Sequence, residues 1–272
     1  MIFVKPLPYK ILVAIPTYNC ENQIIRVLEQ FNFKTQKLVD TVIVIDNKSS
    51  DRTLEKAIYF GSKKFKFCNF LVLRNKKNFG LGGSHKVAFN YSIKKTFDYI
   101  AIFHGDDQAS FKDFLSTIKA LKYESHDCIL GSRFLDGSKL RGYSILRTFG
   151  NILYNNIFSF VTKYPINDLG SGLNLYKVKA LKSEYFKKFP DDLTFNYVMI
   201  LAQNFLKQKI KFIPISWRED DQISNVNLFR QALKVLVILF NFITNKYIFL
   251  QSDMRSCKVR KYNSEVFYEK LL

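Results

Sequence analysis

Long apolar runs are missing from this chain of 272 residues. No stretch reaches the roughly 20 apolar residues that a membrane-spanning helix requires. The N-terminal segment MIFVKPLPYK also lacks the apolar core and small-residue cleavage site of a signal peptide. The sequence therefore predicts a cytoplasmic protein, whose contact with a membrane would be peripheral, on the inner face.

Cysteine and acidic residues are also scarce. The four cysteines, Cys20, Cys68, Cys128 and Cys257, are far apart and form no CxxC pair, so the sequence favours neither a zinc site nor a small disulfide framework. Lys and Arg total 42 against 23 Asp and Glu, a formal charge of +19. Such a charge favours anionic partners, namely nucleotide phosphates, acidic lipid headgroups or nucleic acid, although a biased codon pool would also produce it.

The chain is long and apolar enough to bury a full core, with 47% hydrophobic residues. Short β-rich runs alternate with helical patterns, which predicts an α/β fold with a mostly parallel sheet. The predicted strands cover residues 11–15, 41–45, 70–73, 99–103 and 128–130. Ligands of such sheets bind where the strands end.

Glycine is absent from the turn after the first strand, PTYNCEN (16–22). A dinucleotide-binding domain needs glycines there so that the backbone can approach a pyrophosphate, so NAD and FAD are disfavoured. Glycines appear later, in NFGLGGSHK (78–86), without the spacing of a P-loop.

Acidic residues follow two strands. Asp46 comes just past the second strand, where a carboxylate can accept hydrogen bonds from a nucleobase or ribose, whereas Asp51 reads as a helix cap. The fourth strand delivers HGDDQ (104–108). Clustered hard oxygen ligands suit Mg²⁺ or Mn²⁺, and a solvated turn is the alternative.

The order of these segments resembles the family 2 glycosyltransferases of the GT-A fold, in the dolichol-phosphate-mannose-synthase-like branch. Later segments extend the resemblance over roughly residues 10 to 226: GSRF (131–134), NDLGSGLNLY (167–176) and IPISWRED (213–220). It implies a GT-A-type, mostly parallel sheet flanked by helices.

Carried over by position, the resemblance implies three groups of site residues. Contacts to the nucleotide sugar would come from Pro16, Tyr18, Glu21, Asp46, Asn78, Gly82 and Asp106. Ligands to Mg²⁺ or Mn²⁺ would be Asp106, Asp107 and Gln108. Cations against the diphosphate or an acceptor phosphate would be Arg133, Arg147 and Arg218.

The resemblance also implies the reaction, an inverting transfer of sugar from a nucleotide-diphosphate sugar to a polyprenyl-phosphate or glycan acceptor in cell-surface glycan or glycolipid synthesis. A sugar hydroxyl would need a general base, Asp168 or Asp191, whereas a lipid phosphate would not. Two positions depart from the family pattern: His104 replaces the first acid of the acidic motif, and Asn225 replaces a lysine.

The predicted domains are a catalytic domain, 1–225, and an amphipathic helical tail, 226–272. Within the tail, Lys234, Asn241 and Asn245 form a narrow polar stripe over residues 232–250. That pattern is typical of a helix in a membrane interface, and a core or dimer helix would look the same.

Three other functions are compatible with parts of the sequence. A nucleotidyltransferase shares the sheet and the cation, but its Gly-rich loop after the first strand is missing. A catalytically silent GT-A scaffold would explain the altered acidic motif. A basic RNA-binding protein would explain the charge, but no RNP-type or helix-turn-helix pattern is present, so a nucleic-acid partner is not expected.

Overall fold

The computed structural model describes residues 8–121, 125–221 and 228–272. Its centre is an eight-stranded sheet with the strand order β10-β3-β2-β1-β4-β7-β5-β8. The strands of this sheet are β1 (Ile11–Thr17), β2 (Thr41–Asp46), β3 (Asn69–Asn75), β4 (Tyr99–Phe103), β5 (Cys128–Ser132), β7 (Leu173–Lys177), β8 (Ile210–Pro214) and β10 (Ser264–Lys270). A small parallel pair is formed by β6 (Lys139–Arg141) and β9 (Ser216–Arg218).

The sheet is mostly parallel, as predicted. Strands β3, β2, β1 and β4 pair in parallel, and β5 pairs in parallel with β8. Strand β7 runs antiparallel between β4 and β5, and β10 runs antiparallel along β3. All five predicted strands are present, because each is an apolar run bounded by turn residues.

Helices cover both faces of the sheet. They are α1 (Ile24–Glu29), α2 (Phe33–Gln36), α3 (Thr53–Lys64), α4 (Gly80–Lys94), α5 (Leu115–Ala120), α6 (Ile145–Thr162), α7 (Val178–Leu181), α8 (Phe195–Phe205), α9 (Leu228–Thr244) and α10 (Lys246–Gln251). Successive strand residues alternate between two core clusters: Ile11 and Val13 pack with α1 and α3, whereas Leu12 and Ala14 pack with α4, α6, α8 and α9. Within the described ranges, no helix has both the length and the apolar content needed to span a bilayer.

The C-terminal tail is helical at first, as predicted, but it is not a separate helical unit. The predicted helix over 232–250 is divided, because the Asn245 side chain accepts a hydrogen bond from Ile248 N (3.0 Å) and thereby starts α10. The chain then returns to the catalytic domain and adds β10 to its sheet. The predicted boundary at Asn225 lies outside the described residues.

A buried polar cluster fastens the tail to the core. Lys86 Nζ, fully buried on α4, lies 2.7 Å from Asp191 Oδ1, and Tyr262 of the tail donates its hydroxyl to the same oxygen (2.6 Å). The backbone N–H of Cys257 donates to Asp191 Oδ2 (2.8 Å). Burial lowers the pKa of Lys86, and the adjacent Asp191 carboxylate opposes that shift.

Removing the tail hydroxyl should weaken the fold. We expect Tyr262→Phe to lower the free energy of unfolding by about 1–3 kcal/mol, because a buried ion pair loses one of its hydrogen bonds. Urea denaturation followed by circular dichroism measures the change. Tyr247→Phe, on the exposed side of α10, is the matched control and should unfold like the wild type.

Candidate functional site

The ends of three neighbouring strands bring the predicted motifs together. Thr17 at the end of β1 is in register with Asp46 at the end of β2. The turn after β4 joins them, because Gly105 N donates to Pro16 O (3.0 Å). A Cβ on Gly105 would lie 2.2 Å from Thr17 Cγ2, so this close approach requires glycine. Asp106 therefore lies beside the ends of β1 and β2.

Asp46 is fully buried and has an unused acceptor. Its Oδ1 accepts from Ser49 N (3.2 Å), while its Oδ2 lies 3.1 Å from Arg74 Nε. That second contact lacks hydrogen-bond alignment, and Oδ2 accepts no hydrogen bond within the described chain. Buried carboxylate oxygens rarely lack a hydrogen bond, so Asp46 Oδ2 is placed to accept one from a ligand.

Tyr18 and Glu21 lie in the turn after β1. The Tyr18 ring is about half exposed, so it is available to a ligand. Glu21 accepts from Arg52 N (3.2 Å) at the start of α3. Asp51 accepts from Thr53 N (3.0 Å) and from Glu21 N (3.0 Å), which ties this turn to α3. The N-cap residue of α3 is Arg52, so Asp51, the predicted cap, forms an Asx-turn one residue before it.

An asparagine network fixes the start of α4, whose first turn carries the glycines of the segment 78–86. Asn47 donates to Asn78 Oδ1 (2.8 Å), and its own Oδ1 accepts from Asn75 Nδ2 (2.9 Å). Asn78 also accepts from Gly80 N (2.8 Å). Gly82, predicted to contact the nucleotide, has a packing role instead, since a Cβ there would lie 2.4 Å from Pro190 O.

Asp106 and Gln108 form the part of the acidic motif nearest to Glu219. Gln108 N donates to Asp106 Oδ1 (3.2 Å), and the Gln108 amide donates to Glu219 Oε1 (3.3 Å). Burial raises the pKa of Asp106, and the charge of Glu219 acts in the same direction, against the effects of His104 and of backbone N–H donors. A cation bound here would relieve the cost of burying this charge.

Asp107, a member of the predicted metal set, has cationic partners within the chain. Its buried Oδ2 accepts from Arg26 Nε (2.6 Å) and pairs with the Arg218 guanidinium, and its Oδ1 accepts from Gln30 Nε2 (3.2 Å). Its backbone is left-handed, with φ of 60°. That turn points the carboxylate of Asp107 toward the arginines, so its role is to hold α1 and β9 against the motif.

His104, which replaces an acid, is paired with a second histidine. Its Nε2 lies 3.0 Å from His85 Nε2 on α4. Burial lowers the pKa of His104, and burial followed by the proximity of His104 lowers that of His85 well below the ordinary value. Two neutral imidazoles can share this hydrogen bond, one as donor and one as acceptor.

The histidine pair should make stability depend on pH. A histidine whose folded pKa is lowered binds fewer protons in the folded than in the unfolded state, so stability is complete above the unfolded value of about 6.5 and falls as pH drops below it. We expect a slope of about 1.4 kcal/mol per pH unit for each proton taken up on unfolding. Denaturation of His85→Gln between pH 7 and 5 should show a shallower slope, with His126→Gln as the control.

Asp168 and Tyr143 together engage all three nitrogens of the Arg133 guanidinium. Nε lies 2.8 Å from Asp168 Oδ2, and Nη2 lies 2.8 Å from Asp168 Oδ1. Nη1 lies 3.1 Å from the Tyr143 hydroxyl. The rings of Phe134, Tyr143 and Trp217 lie around it at 5.0–5.4 Å. Burial opposes the charge, but Asp168 more than compensates and the pKa of Arg133 is raised.

These contacts concern two predictions, the general base and the role of Arg133. Each Asp168 oxygen accepts two hydrogen bonds. Oδ1 accepts from Arg133 Nη2 and Gly170 N, and Oδ2 accepts from Arg133 Nε and Arg133 N. These bonds leave the carboxylate little capacity to accept a substrate proton. Asp191 is buried against Lys86 and Tyr262. Both predicted bases are therefore paired with buried cations, and the Arg133 guanidinium is paired with Asp168.

The other two predicted arginines are more accessible. Arg147 Nη1 donates to Glu219 Oε2 (2.6 Å), and Arg218 Nε donates to Asp107 O (2.8 Å). Their side chains are 26% and 38% exposed, respectively. Both guanidiniums therefore line the acidic motif and keep donors that an anionic ligand can use.

Sequence reasoning missed four participants: Arg26, Arg74, His85 and Glu219. Arg74 lies near the end of β3 and Glu219 follows β9. Both could have been found from the sequence, because ligands of such sheets bind where the strands end. Arg26 and His85 lie inside helices, where only tertiary packing reveals their partners. Among the described residues, no three His, Cys, Asp or Glu side chains are grouped so as to hold a metal ion.

A mostly parallel sheet with acidic, amide and arginine side chains at its strand ends defines a GT-A-type glycosyltransferase. The model of the family "Glycosyl transferase family 2" matches residues 12–184, and the chain belongs to this family.

Relatives and solved structures agree. The chain is 24% identical to UDP-N-acetylglucosamine--dolichyl-phosphate N-acetylglucosaminyltransferase of Methanococcus voltae, over 63% of this chain and 71% of the relative. It is 29% identical to dolichol-phosphate mannosyltransferase of Pyrococcus furiosus, over 51% and 37%. The fold matches glucosyl-3-phosphoglycerate synthase from Mycobacterium tuberculosis, crystallised with Mn²⁺, UDP-glucose and phosphoglyceric acid, with a TM-score of 0.62, 12% identity, and 97% and 90% coverage.

Proposed function

We propose that this glycosyltransferase transfers a sugar from a nucleoside-diphosphate sugar to a lipid phosphate, with inversion, at the ends of β1, β2 and β4. One observation supports binding of the sugar donor: the buried Asp46 Oδ2 accepts no hydrogen bond, and the half-exposed Tyr18 ring lies in the turn after the neighbouring strand. A base or ribose that stacks on Tyr18 would satisfy it. Two similar proteins support this donor class, since one is named for UDP-N-acetylglucosamine and another was crystallised with UDP-glucose.

A divalent cation fits the acidic motif if the protein and the phosphates of the sugar donor hold it together. Mg²⁺ is commonly held by one or two carboxylates together with substrate phosphates, and Asp106 supplies one carboxylate with Gln108 beside it. When bound, Mg²⁺ or Mn²⁺ would neutralise charge on the departing diphosphate. Asp106 would hold the cation, and Asp107 would keep Arg218 in place.

The acceptor half rests on the accessible arginines and on the ion pairs that occupy the two predicted bases. Arg147 and Arg218 have donors suited to a phosphate. A phosphate oxygen is already ionised and can attack without a general base, whereas Asp168 and Asp191 are occupied by Arg133 and Lys86. Two relatives are named for dolichyl- or dolichol-phosphate, which supports a lipid phosphate over a glycan hydroxyl.

A lipid acceptor would place the protein at a membrane surface, and α9 suits that location. Its outward side chains are large, apolar and exposed, among them Leu233, Val237 and Phe240. Its inward side chains, Val235, Leu239 and Phe242, are buried in the core. This distribution is typical of a helix in the bilayer interface. The role in glycan or glycolipid synthesis follows from the same acceptor class.

The test uses radiolabelled UDP- and GDP-sugars with Mg²⁺ or Mn²⁺, and either a polyprenyl phosphate or simple sugars as acceptors. We expect labelled lipid with the polyprenyl phosphate and none with the sugars. Arg147→Lys should retain donor hydrolysis while losing most lipid transfer, because lysine cannot make the bidentate contact. Efficient labelling of a sugar acceptor and none of the lipid phosphate would refute the proposed acceptor.

A further inference from the structure

The C-terminal tail contacts two of the segments that surround the donor site. The first contact is the Tyr262 ring, which packs edge-on against the Phe79 ring with 5.2 Å between the ring centroids. Phe79 directly follows Asn78, and its backbone N–H donates to Asn47 Oδ1 (2.8 Å). Asn47 in turn follows Asp46. One side chain of the tail therefore supports the two segments that meet beside the buried Asp46 carboxylate.

Tyr262 is fixed at its hydroxyl end by the buried ion pair of Lys86 and Asp191. The hydroxyl donates to Asp191 Oδ1 (2.6 Å) and lies 3.1 Å from Lys86 Nζ. The backbone carbonyl of Asp191 accepts from Gly82 N (2.8 Å), in the first turn of α4. A Cβ on Gly83 would lie 3.3 Å from Tyr262 Cε1, so the ring packs directly on this turn. The ring is thus held between the buried ion pair and the start of α4.

The second contact is the Phe267 ring on β10, which lies beside Arg74 of β3. The guanidinium carbon of Arg74 lies 5.8 Å from the centroid of this ring, within the range of a cation–π interaction. Phe267 lies in a β-bulge, because the register with β3 shifts between Val266 and Tyr268. A bulge can redirect one side chain of a strand, and here the redirected ring reaches Arg74.

Arg74 connects this ring to the donor site. Its Nε lies 3.1 Å from Asp46 Oδ2, and within the described chain neither atom has a hydrogen bond. Its Nη2 donates to Ser49 O (3.0 Å), in the turn after β2. A ligand that bonds to such buried atoms binds more tightly when they are already in place, because no side chain has to be ordered on binding.

We propose that the C-terminal tail is part of the donor site, with Phe267 and Tyr262 as positioning residues for the nucleotide. Phe267 holds Arg74 beside Asp46, and Tyr262 holds the start of α4. This inference rests on the proposed function, because both residues act through groups that the proposed function assigns to the nucleotide. The site then includes a segment that the sequence predicts to be separate from the catalytic domain. Affinity for the nucleotide depends on whether this segment is docked.

Phe267→Ala tests the contact with Arg74, because the ring is 47% exposed and its removal should leave the fold stable. Titration calorimetry of the full chain with UDP, GDP and dTDP, in the presence of Mg²⁺, measures the affinity. We expect Phe267→Ala to raise the dissociation constant of the nucleotide that binds by roughly three- to fivefold, as loss of a cation–π contact predicts. Phe267→Tyr keeps a ring beside Arg74 and should bind like the wild type. Val266→Ala, 57% exposed on the same strand, is the matched control.

Steady-state hydrolysis of the sugar donor separates positioning from a general loss of structure. Phe267→Ala should raise KM for the donor by the same factor and leave kcat unchanged, because the ring acts on nucleotide binding and not on the acidic motif. Tyr262→Leu, measured well below its melting temperature, should also raise KM, since it loses both the hydroxyl bond to Asp191 and the ring contact with Phe79. Should Tyr262→Leu fail to fold, Phe267→Ala decides alone.

Two results would overturn the inference and leave the proposed function intact. Phe267→Ala could bind the nucleotide as tightly as the wild type, or it could lower kcat with no change in KM. Binding of none of the three nucleotides by the folded wild type is a different outcome, because it refutes the proposed function and this inference together.

Discussion

Asp106→Asn should abolish most hydrolysis of the nucleotide sugar, with a loss of roughly 100-fold or more in kcat. The physical reason is the place of Asp106 at the meeting point of β1, β2 and β4, in an environment where burial raises its pKa. A carboxylate that is costly to ionise gains most from a cation, and the neutral amide removes that attraction. Release of nucleoside diphosphate, followed by a coupled assay, measures the change.

The control for Asp106 is an exposed acid on the edge strand of the same sheet, which three strands separate from β4. Glu265→Gln, on the edge strand β10, removes one exposed carboxylate that pairs with Lys76 (3.2 Å). It should hydrolyse the donor like the wild type. If Asp106→Asn does so too while remaining folded, the acidic motif is not the diphosphate site.

Asp168→Asn should have the largest effect on stability. Removing one partner of a buried ion pair leaves the other charge uncompensated, and such losses amount to about 3–5 kcal/mol. The Arg133 side chain is 6% exposed, and each of its nitrogens has a partner. Guanidinium denaturation measures the loss, and Glu55→Gln, which breaks the exposed pair with Arg52, should leave the unfolding free energy unchanged.

A double variant separates a structural role of this pair from a catalytic one. Arg133→Met with Asp168→Leu replaces both charges by apolar groups of similar size, which often restores stability lost by removing one charge. If the pair has only a structural role, the double variant should regain stability and much of the donor hydrolysis. Restored stability with no hydrolysis would show that one of the two charges acts in the reaction.

The fold could be predicted from the sequence because its signals are local. Each parallel strand is a buried apolar run, as in TVIVI before Asp46, and the residues after each run end up at the same edge of the sheet. Strand β10 escaped prediction because its alternating charged and aromatic residues, SEVFYEK, become a strand only by pairing with β3. Tertiary context decides such edge strands.

The site was predictable in location but not in the roles of its acids. Position in sequence placed Asp46 and Asp106 near strand ends, as found. It could not show that Asp107 turns toward Arg26 and Arg218, because that depends on a left-handed backbone and on a helix 81 residues away in sequence. Charges that pair across such distances decide which carboxylates remain available to a ligand.

The most direct test of the account is release of nucleoside diphosphate by the wild type from a panel of UDP-, GDP- and dTDP-sugars, with Mn²⁺, Mg²⁺ or EDTA. The account predicts slow, cation-dependent hydrolysis of one donor even without an acceptor, and tight competition by the matching nucleoside diphosphate. A folded protein that neither binds nor hydrolyses any donor, and instead binds RNA in a salt-sensitive manner, would contradict it.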